Sequence, residues 1–501
     1  MATPDALPTN PDTVPFKTDY RFDKNAYLTL KKRLNHGVPE NLPRDQITVE
    51  WKGKKFTFNK SDCHTDNYLA RGGEGAVYAV DKKSDCKTGD KTEEKFVIKA
   101  KIINKKLDSY ASIYNEVVLG QSNKLLGDRM SAATSLVGVF RDDQTLYIVF
   151  LRAIMNLSDF NRMVHKYVGS WPENALKWMI YCVGSHLANN YFMAKVVLCD
   201  LKPSNILLHR TQHGQMFFQV ADFGAALLGH PEDATENKLN ICSTIAYAPP
   251  EMMRANILDI AKTFSTGSAG VNQAAGPGAL DEAGLEGASG DVPDSMVKMT
   301  RDIISQFQNF SLESGIGCST VTSNAIFRYP DFMNLDQCDI WSLGVTVLEC
   351  MNNDLPFHSI DSKMAFTGQG RKLISKDKLQ KNLYSEELLD WIDRAVKTEV
   401  TDFHYDPTTS VTARRDGAVS KKKIRLTWDY FTDFYLRPWY PNYAELHNSA
   451  AELYEETMDK QFGADRNMKE RPKLRLYTTS QYADLAARDR ESRKHLQSKD
   501  V

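Results

Sequence analysis

Cysteine is scarce and dispersed in this chain. The eight cysteines, at 63, 86, 182, 199, 242, 318, 338 and 350, are spread over 501 residues without one CxxC pair. That spacing argues against a disulfide framework and a finger-type zinc site, and it suits a reducing compartment. Long apolar runs are missing too, so no segment reaches the roughly 20 residues that span a bilayer. The first residues, "MATPDALPTNPDTVPF", have neither a basic n-region nor an apolar h-region, and no secretory signal is expected. Neither sign of charge dominates: the net charge is −1, which gives no electrostatic footprint for nucleic acid. Internal repeats are absent. What is present, 42% hydrophobic and 25% charged residues, is the composition of a soluble globular protein long enough for two cores, with the cytoplasm as the default location.

The first 20 or so residues are rich in Pro and Thr, and residues 1–45 are expected to be a disordered or extended segment. From "ITVEWKGKKFTFN" the pattern alternates as strands do, and "YLARGGEGAVYAV", "FVIKAKII" and "LYIVFL" continue it. Residues 110–127 read as one helix. Beyond about residue 153 helices dominate. "SWPENALKWMIYCVGSHLANNYF" opens with a capping-box pattern, Ser170 to Glu173, and puts Leu176, Met179, Ile180, Val183 and Leu187 on one face. "DIWSLGVTVLEC" is a second apolar helix. Two inserts interrupt the pattern, a Gly-, Ala- and Ser-rich one at about 255–330 and a polar one at about 400–423. Residues 443–501 read as a charged helical tail, able either to fold back on the rest or to bind a partner.

Several short motifs carry chemistry. Gly72, Gly73 and Gly75 form a tight turn between strands, where backbone N–H groups can approach a phosphate chain; the same turn also suits a plain hairpin. Lys99 ends an apolar strand triplet, a position that also suits a lysine with its head in solvent. Glu116 lies on the following helix. "VVLCDLKPSNILL" sets Asp200, Lys202 and Asn205 between two apolar runs. "VADFGAA" ends a strand on Asp222, whose oxygens, with those of Asn205, suit a hard divalent cation.

Each motif is modest alone, but their order along the chain is specific. A Gly-rich turn, a strand lysine, a helix glutamate, DxKxxN, DFG, "STIAYAPPE" and "DIWSLG" together resemble the eukaryotic-type protein kinase family, serine/threonine-directed, over about residues 65–440. The resemblance implies an α+β, two-lobed protein kinase-like fold. A small, mostly β N-lobe would span about 65–153 and a larger, mostly helical C-lobe about 154–440. It implies ATP and Mg²⁺ as cofactors, with Ala70, Gly72, Gly73, Gly75 and Val77 over the nucleotide. Phe150 would be the gatekeeper and Leu151 to Ala153 the adenine-facing hinge. Lys99 would contact phosphates and pair with Glu116, Asp200 would be the catalytic base, Lys202 would neutralise the γ-phosphate, and Asn205 with Asp222 would hold the metal. Glu251 would pair with Arg425. Lys202 and Thr244 follow the serine/threonine-directed pattern, so the implied partners are proteins with Ser/Thr acceptors, together with a regulatory partner at the inserts or the tail. The basic run "ARRDGAVSKKKIR" reads first as a solvated loop and second as a nuclear address.

Four residues depart from the family pattern, the first being Ala70, which stands where a glycine is usual and removes no donor. Leu198 and Cys199 stand where histidine and arginine are usual. Leucine can keep the packing beneath Phe223, whereas cysteine cannot hold an activation-loop phosphate. Gly120, one turn after Glu116, stands where an apolar residue is usual, so either the glutamate assignment is off by a turn or the packing column has a gap. A nucleotide-binding scaffold with weak or no phosphotransfer is the alternative reading; the presence of Lys99, Asp200, Asn205 and Asp222 weighs against it.

Overall fold

The computed structural model describes residues 24–35, 42–51, 54–72, 75–83, 93–103, 115–119, 136–210, 215–228, 239–250, 252, 322–327, 337–357, 362–363, 365–398, 403–405, 412–414 and 425–462. Gly73, Gly120, Thr235, Glu251 and most of both inserts lie outside these residues.

Alternation in the N-terminal half becomes a hairpin and a sheet. β1 (Gln46–Trp51) pairs antiparallel with β2 (Lys54–Asn59). Five strands then form an antiparallel sheet in the order β3-β4-β5-β7-β6: β3 (Tyr68–Gly72), β4 (Gly75–Lys83), β5 (Glu93–Ile102), β6 (Leu136–Arg141) and β7 (Thr145–Leu151). Because side chains alternate across a strand, β5 is two-sided. Phe96 and Ile98 pack with Phe56, Phe58, Val80 and Phe140 on one face. Val97 on the other face joins Val117, Leu136, Ile148 and Phe150, and Val117 belongs to a helical segment, α2 (115–119).

The larger lobe is built around α4 (Glu173–Ala194), with α3 (Leu157–Tyr167) before it. The expected apolar face of α4 is buried, and so is the rest of the helix from Ala175 to Ala188. The expected capping box does not form. Pro172, with extended backbone, is the N-cap, and no side chain caps the helix. Glu173 instead accepts from Ser385 Oγ at 2.6 Å and pairs with Lys177 at 2.8 Å, a tertiary use of the carboxylate that outcompetes the local one. Strands β8 (Met155–Asn156), β10 (Ile206–Arg210) and β11 (Met216–Val220) form a three-stranded sheet, and β9 (Val196–Val197) pairs with β12 (Leu227–Leu228). Helices α5 (Cys338–Asn352) and α6 (Glu386–Ala395) complete the core, which buries Trp171, Trp178, Trp341 and Trp391.

Both ends of the described chain join this core. The expected extended N-terminal segment contains α1 (Lys24–Asn35), a correction explained by Tyr27 and Leu30, one turn apart and both buried. At the other end α7 (Tyr443–Phe462) packs on α3, α4 and β11, burying Leu446, His447, Ala450, Ala451, Leu453 and Met458. This part of the tail folds back. Its link to β11 is specific: the Met216 N–H donates to His447 Nε2 at 3.0 Å, and Trp178 Nε1 donates to the Met216 carbonyl at 3.0 Å.

Parts of the inserts are strands. β13 (Leu239–Thr244) pairs antiparallel with β14 (Thr322–Phe327), so the far end of the first insert returns alongside the segment that precedes it. Within the second insert, β15 (Phe403–Tyr405) pairs with β16 (Thr412–Arg414). Among the described residues no helix is long and apolar enough to cross a membrane.

Candidate active site

The loop after β9 is held from below by a buried carboxylate. Asp339, in the first turn of α5, accepts from the Leu198 N–H at 2.8 Å and the Cys199 N–H at 3.0 Å. Burial pushes its carboxyl up to about 6, against the lowering effect of those two amides. Cys199 takes a left-handed backbone (φ 64°), a conformation costly for a non-glycine residue and maintained here by the two bonds to Asp339. "DIWSLG" was legible as an apolar helix; the buried aspartate at its start is the signal that its anchoring role leaves in the sequence.

This anchor presents Asp200. Its Oδ1 accepts from the Thr244 N–H at 2.7 Å and its Oδ2 from Lys202 Nζ at 2.7 Å. Lys202 Nζ also donates to Thr244 Oγ1 at 2.6 Å. Asn205 closes a 3₁₀ turn, Pro203–Asn205, and its Nδ2 donates to the Asp200 carbonyl at 2.9 Å. The Ala221 N–H donates to the Asn205 carbonyl at 2.8 Å, which ties the loop to the strand end carrying Asp222.

Asp222 is also left-handed (φ 62°). Its Oδ1 lies 2.9 Å from Lys99 Nζ. Desolvation opposes its charge, but Lys99, Lys101 and Lys202 outweigh it and hold the carboxyl well below the usual range. Lys99 Nζ is also 2.9 Å from Glu116 Oε1. The six residues expected to carry the chemistry thus fall into two linked groups, Asp200–Lys202–Asn205 and Lys99–Glu116–Asp222. Lys101 joins the second group, 2.7 Å from Glu116 Oε2. Sequence reasoning passed over it, although it shares the strand parity of Lys99.

Among the expected nucleotide-facing residues, Ala70, Gly72, Gly75, Val77 and Phe150 share the strand face of Lys99, whereas Leu151 packs on the opposite face with Phe96, a correction set by strand alternation. Ala70 pairs with Val77 and Gly72 with Gly75 in the β3–β4 hairpin, and Val77 is opposite Lys99. Gly75 has a packing reason to be glycine, since a Cβ there would run into the Ala100 carbonyl. Phe150 is buried near the end of β7, where Leu151 pairs with Phe96. Beyond it, Arg152 N–H donates to the Lys95 carbonyl at 3.0 Å and Ile154 N–H to the Leu208 carbonyl at 2.8 Å, leaving half-buried Ala153 between the two lobes.

Leu198 and Phe223 lie buried in one core cluster. A ring does approach Phe223, from a different element: His186 on α4 stands edge-on to it, with centroids 6.1 Å apart. The segment from Ile245 to Ala248 is fixed by a lysine. Lys363 Nζ, buried, donates to the carbonyls of Ile245, Ala246 and Ala248 at 2.6, 2.7 and 2.9 Å. Tyr247 Oη donates to Glu349 Oε2 at 2.7 Å. The expected Glu251–Arg425 pair falls outside the described residues on the glutamate side. Arg425 is buried, with Nε donating to the Lys397 carbonyl at 2.8 Å and its guanidinium 4.9 Å from the centre of the Trp341 ring.

The fold agrees with what the sequence is similar to. Residues 64–272 match the family model of the protein kinase domain. An Aurora kinase of Debaryomyces hansenii is 29% identical over 247 residues, 47% of this chain and 55% of that protein. A human 3-phosphoinositide-dependent protein kinase 1 is 24% identical over 221 residues, 44% of this chain and 34% of that protein. Over those residues the chain is similar to protein kinase domains of the eukaryotic type, and its β-rich lobe followed by a helical one is the two-lobed α+β fold. The chain spans about half the length or less of these curated relatives.

Proposed function

We propose that this chain transfers the γ-phosphate of ATP to serine or threonine hydroxyls of proteins. The observation that carries the reading is the fixing of Asp200 by Thr244 N–H and Lys202 Nζ, with Asn205 tied to the same loop. A carboxylate held on both oxygens at the edge of a docking segment is placed to orient an acceptor hydroxyl and take its proton. Lys202 is close enough to neutralise charge developing on the transferred group, and phosphoryl transfer needs mostly positioning and charge neutralisation.

The donor set suits the cofactors. Asn205 turns its amide nitrogen toward the Asp200 carbonyl and Asp222 carries an ionised carboxylate, so both offer hard oxygen to Mg²⁺, which binds through one or two such groups plus substrate phosphates. Bound there, the metal would supply charge neutralisation at the phosphates. Lys99 would contact the α- and β-phosphates, with Phe150 and Ala153 against the base and Ala70, Gly72, Gly75 and Val77 above the phosphates. The serine/threonine preference rests on Lys202 and Thr244, which bridge to each other as well as to Asp200. A regulatory partner, if the chain has one, would dock at the inserts or the tail.

The test is Mg-ATP-dependent labelling of a generic protein substrate by the chain and by Asp200→Asn. Labelling on serine and threonine that Asp200→Asn abolishes supports the reading. Labelling no higher than the variant's would replace it with a nucleotide-binding scaffold.

A further inference from the structure

The strand that carries Lys99 carries a second lysine on the same face. Phe96 and Ile98 point into the opposite core, so period-two alternation puts Val97, Lys99 and Lys101 toward α2. Lys101 is completely buried, 0% exposed, and a buried ammonium is costly unless an anion is held close to it. The anion is Glu116, 3% exposed at its side chain, with Oε2 2.7 Å from Lys101 Nζ and Oε1 2.9 Å from Lys99 Nζ. Lys99 in turn lies 2.9 Å from Asp222. Two cations and two carboxylates make a neutral set, and the two lysines hold unequal places in it. Lys99 is partly exposed and divided between two carboxylates, while Lys101 is sealed behind the strand.

We propose that Lys101 is the positioning residue that fixes Glu116, and through it α2, so that Lys99 can leave for a nucleotide phosphate without releasing the helix. This deepens the phosphotransfer reading and rests on it for the role given to Lys99. Were Lys99 the sole cation on Glu116, its movement onto a phosphate would strand a buried carboxylate. With Lys101 in place Glu116 keeps a partner at every stage. A second tie, Asn115 Nδ2 donating to the Ala226 carbonyl at 2.8 Å, joins α2 to the segment after Phe223, so movement of α2 would be felt at Asp222.

Hydrogen exchange of the backbone amides of residues 115–119 tests this in the full chain, with and without Mg-ATP, for the wild type, Lys99→Met and Lys101→Met. The expected result is that Lys99→Met leaves protection unchanged while weakening nucleotide binding. Lys101→Met should lower protection at least tenfold while ATP affinity stays within about twofold, and kcat should fall by about 100-fold, as small misplacements of catalytic groups do. Because Lys101→Met acts through the carboxylate, adding it to Glu116→Gln should change nothing further. Equal protection in Lys101→Met and the wild type would overturn the proposal, as would loss of protection in Lys99→Met alone or full additivity in the double variant. If the wild type transfers no phosphate, the kinase reading fails, while the exchange and double-variant results still decide the role of Lys101.

Discussion

The backbone N–H of Thr244 donates to Asp200 Oδ1 at 2.7 Å, joining the loop proposed as catalytic directly to the segment that begins at Thr244. Only the amide makes that bond, while the Thr244 hydroxyl accepts from Lys202. Thr244→Val therefore separates the two contacts. A hydrogen bond to a charged group contributes about 1.5–3 kcal/mol, so kcat should fall about 10- to 100-fold. The KM for ATP should not move. Steady-state kinetics would check this, and an unchanged kcat would mean that the Lys202–Thr244 bridge is catalytically idle.

Lys363 satisfies three carbonyls of the segment proposed to dock substrate, those of Ile245, Ala246 and Ala248, with one ammonium. Lys363→Met leaves them buried without a donor and should cost about 3 kcal/mol in urea unfolding. The KM for a protein substrate should rise while that for ATP holds. Equal increases in both would show that the lysine supports the whole fold rather than this segment.

Phosphotransfer, where the proposed function holds, should not depend on a phosphate near the Asp200 loop. Ser243 is fully buried, the Thr244 hydroxyl is engaged by Lys202, and Cys199 offers no cation. Phosphatase treatment is expected to leave the rate unchanged. Cys199→Arg should not introduce phosphate control, and burying an unpaired guanidinium there should cost several kcal/mol, about 3 or more. A rate that collapses after phosphatase treatment and returns on rephosphorylation at Ser243 would refute this account.

Acid should loosen the contact between α7 and β11. Burial lowers the His447 imidazole to about 4, and its Nε2 must stay unprotonated to accept the Met216 N–H. The folded chain thus binds fewer protons than the unfolded one between about 6.5 and 4. Stability is complete above the unfolded value and is lost as pH falls through this window, by about 3 kcal/mol for a shift of this size. His186 and His209, also lowered to about 4 by burial, add to the same slope. His447→Gln, which keeps an acceptor, should flatten the pH dependence of denaturant unfolding between pH 6.5 and 4. An unchanged slope would exclude His447 as a contributor.

The grouping of the candidate site's residues was legible because the chemistry proposed for them needs fixed residue types at fixed spacings. Asp200, Lys202 and Asn205 lie within one loop, and Lys99, Glu116 and Asp222 each sit on an element that the hydrophobic pattern marks. Other features depend on distant segments and leave no local trace. Lys363 lies more than a hundred positions from the carbonyls it binds, and His186 reaches Phe223 from another helix. Lys101 is different: alternation along "FVIKAKII" gave its direction, but a lysine within an apolar strand reads as solvent-facing until the buried Glu116 is seen beside it. The helix at Lys24–Asn35 was hidden by its few apolar residues, of which Tyr27 and Leu30 suffice to seat it. The capping box failed for the opposite reason, a strong local pattern overruled by Ser385.

Pairing of β13 with β14 pins the two ends of the Gly-rich insert side by side, with Thr244 opposite Thr322. Once the ends are tied, chain length between them enters the energetics only logarithmically, each doubling costing about 0.6 kcal/mol. Evolution could therefore lengthen or shorten the insert with little effect on the bond between Thr244 and Asp200. The same property makes it a natural port for engineering, where a folded reporter domain can be spliced in while the Asp200 loop stays in register.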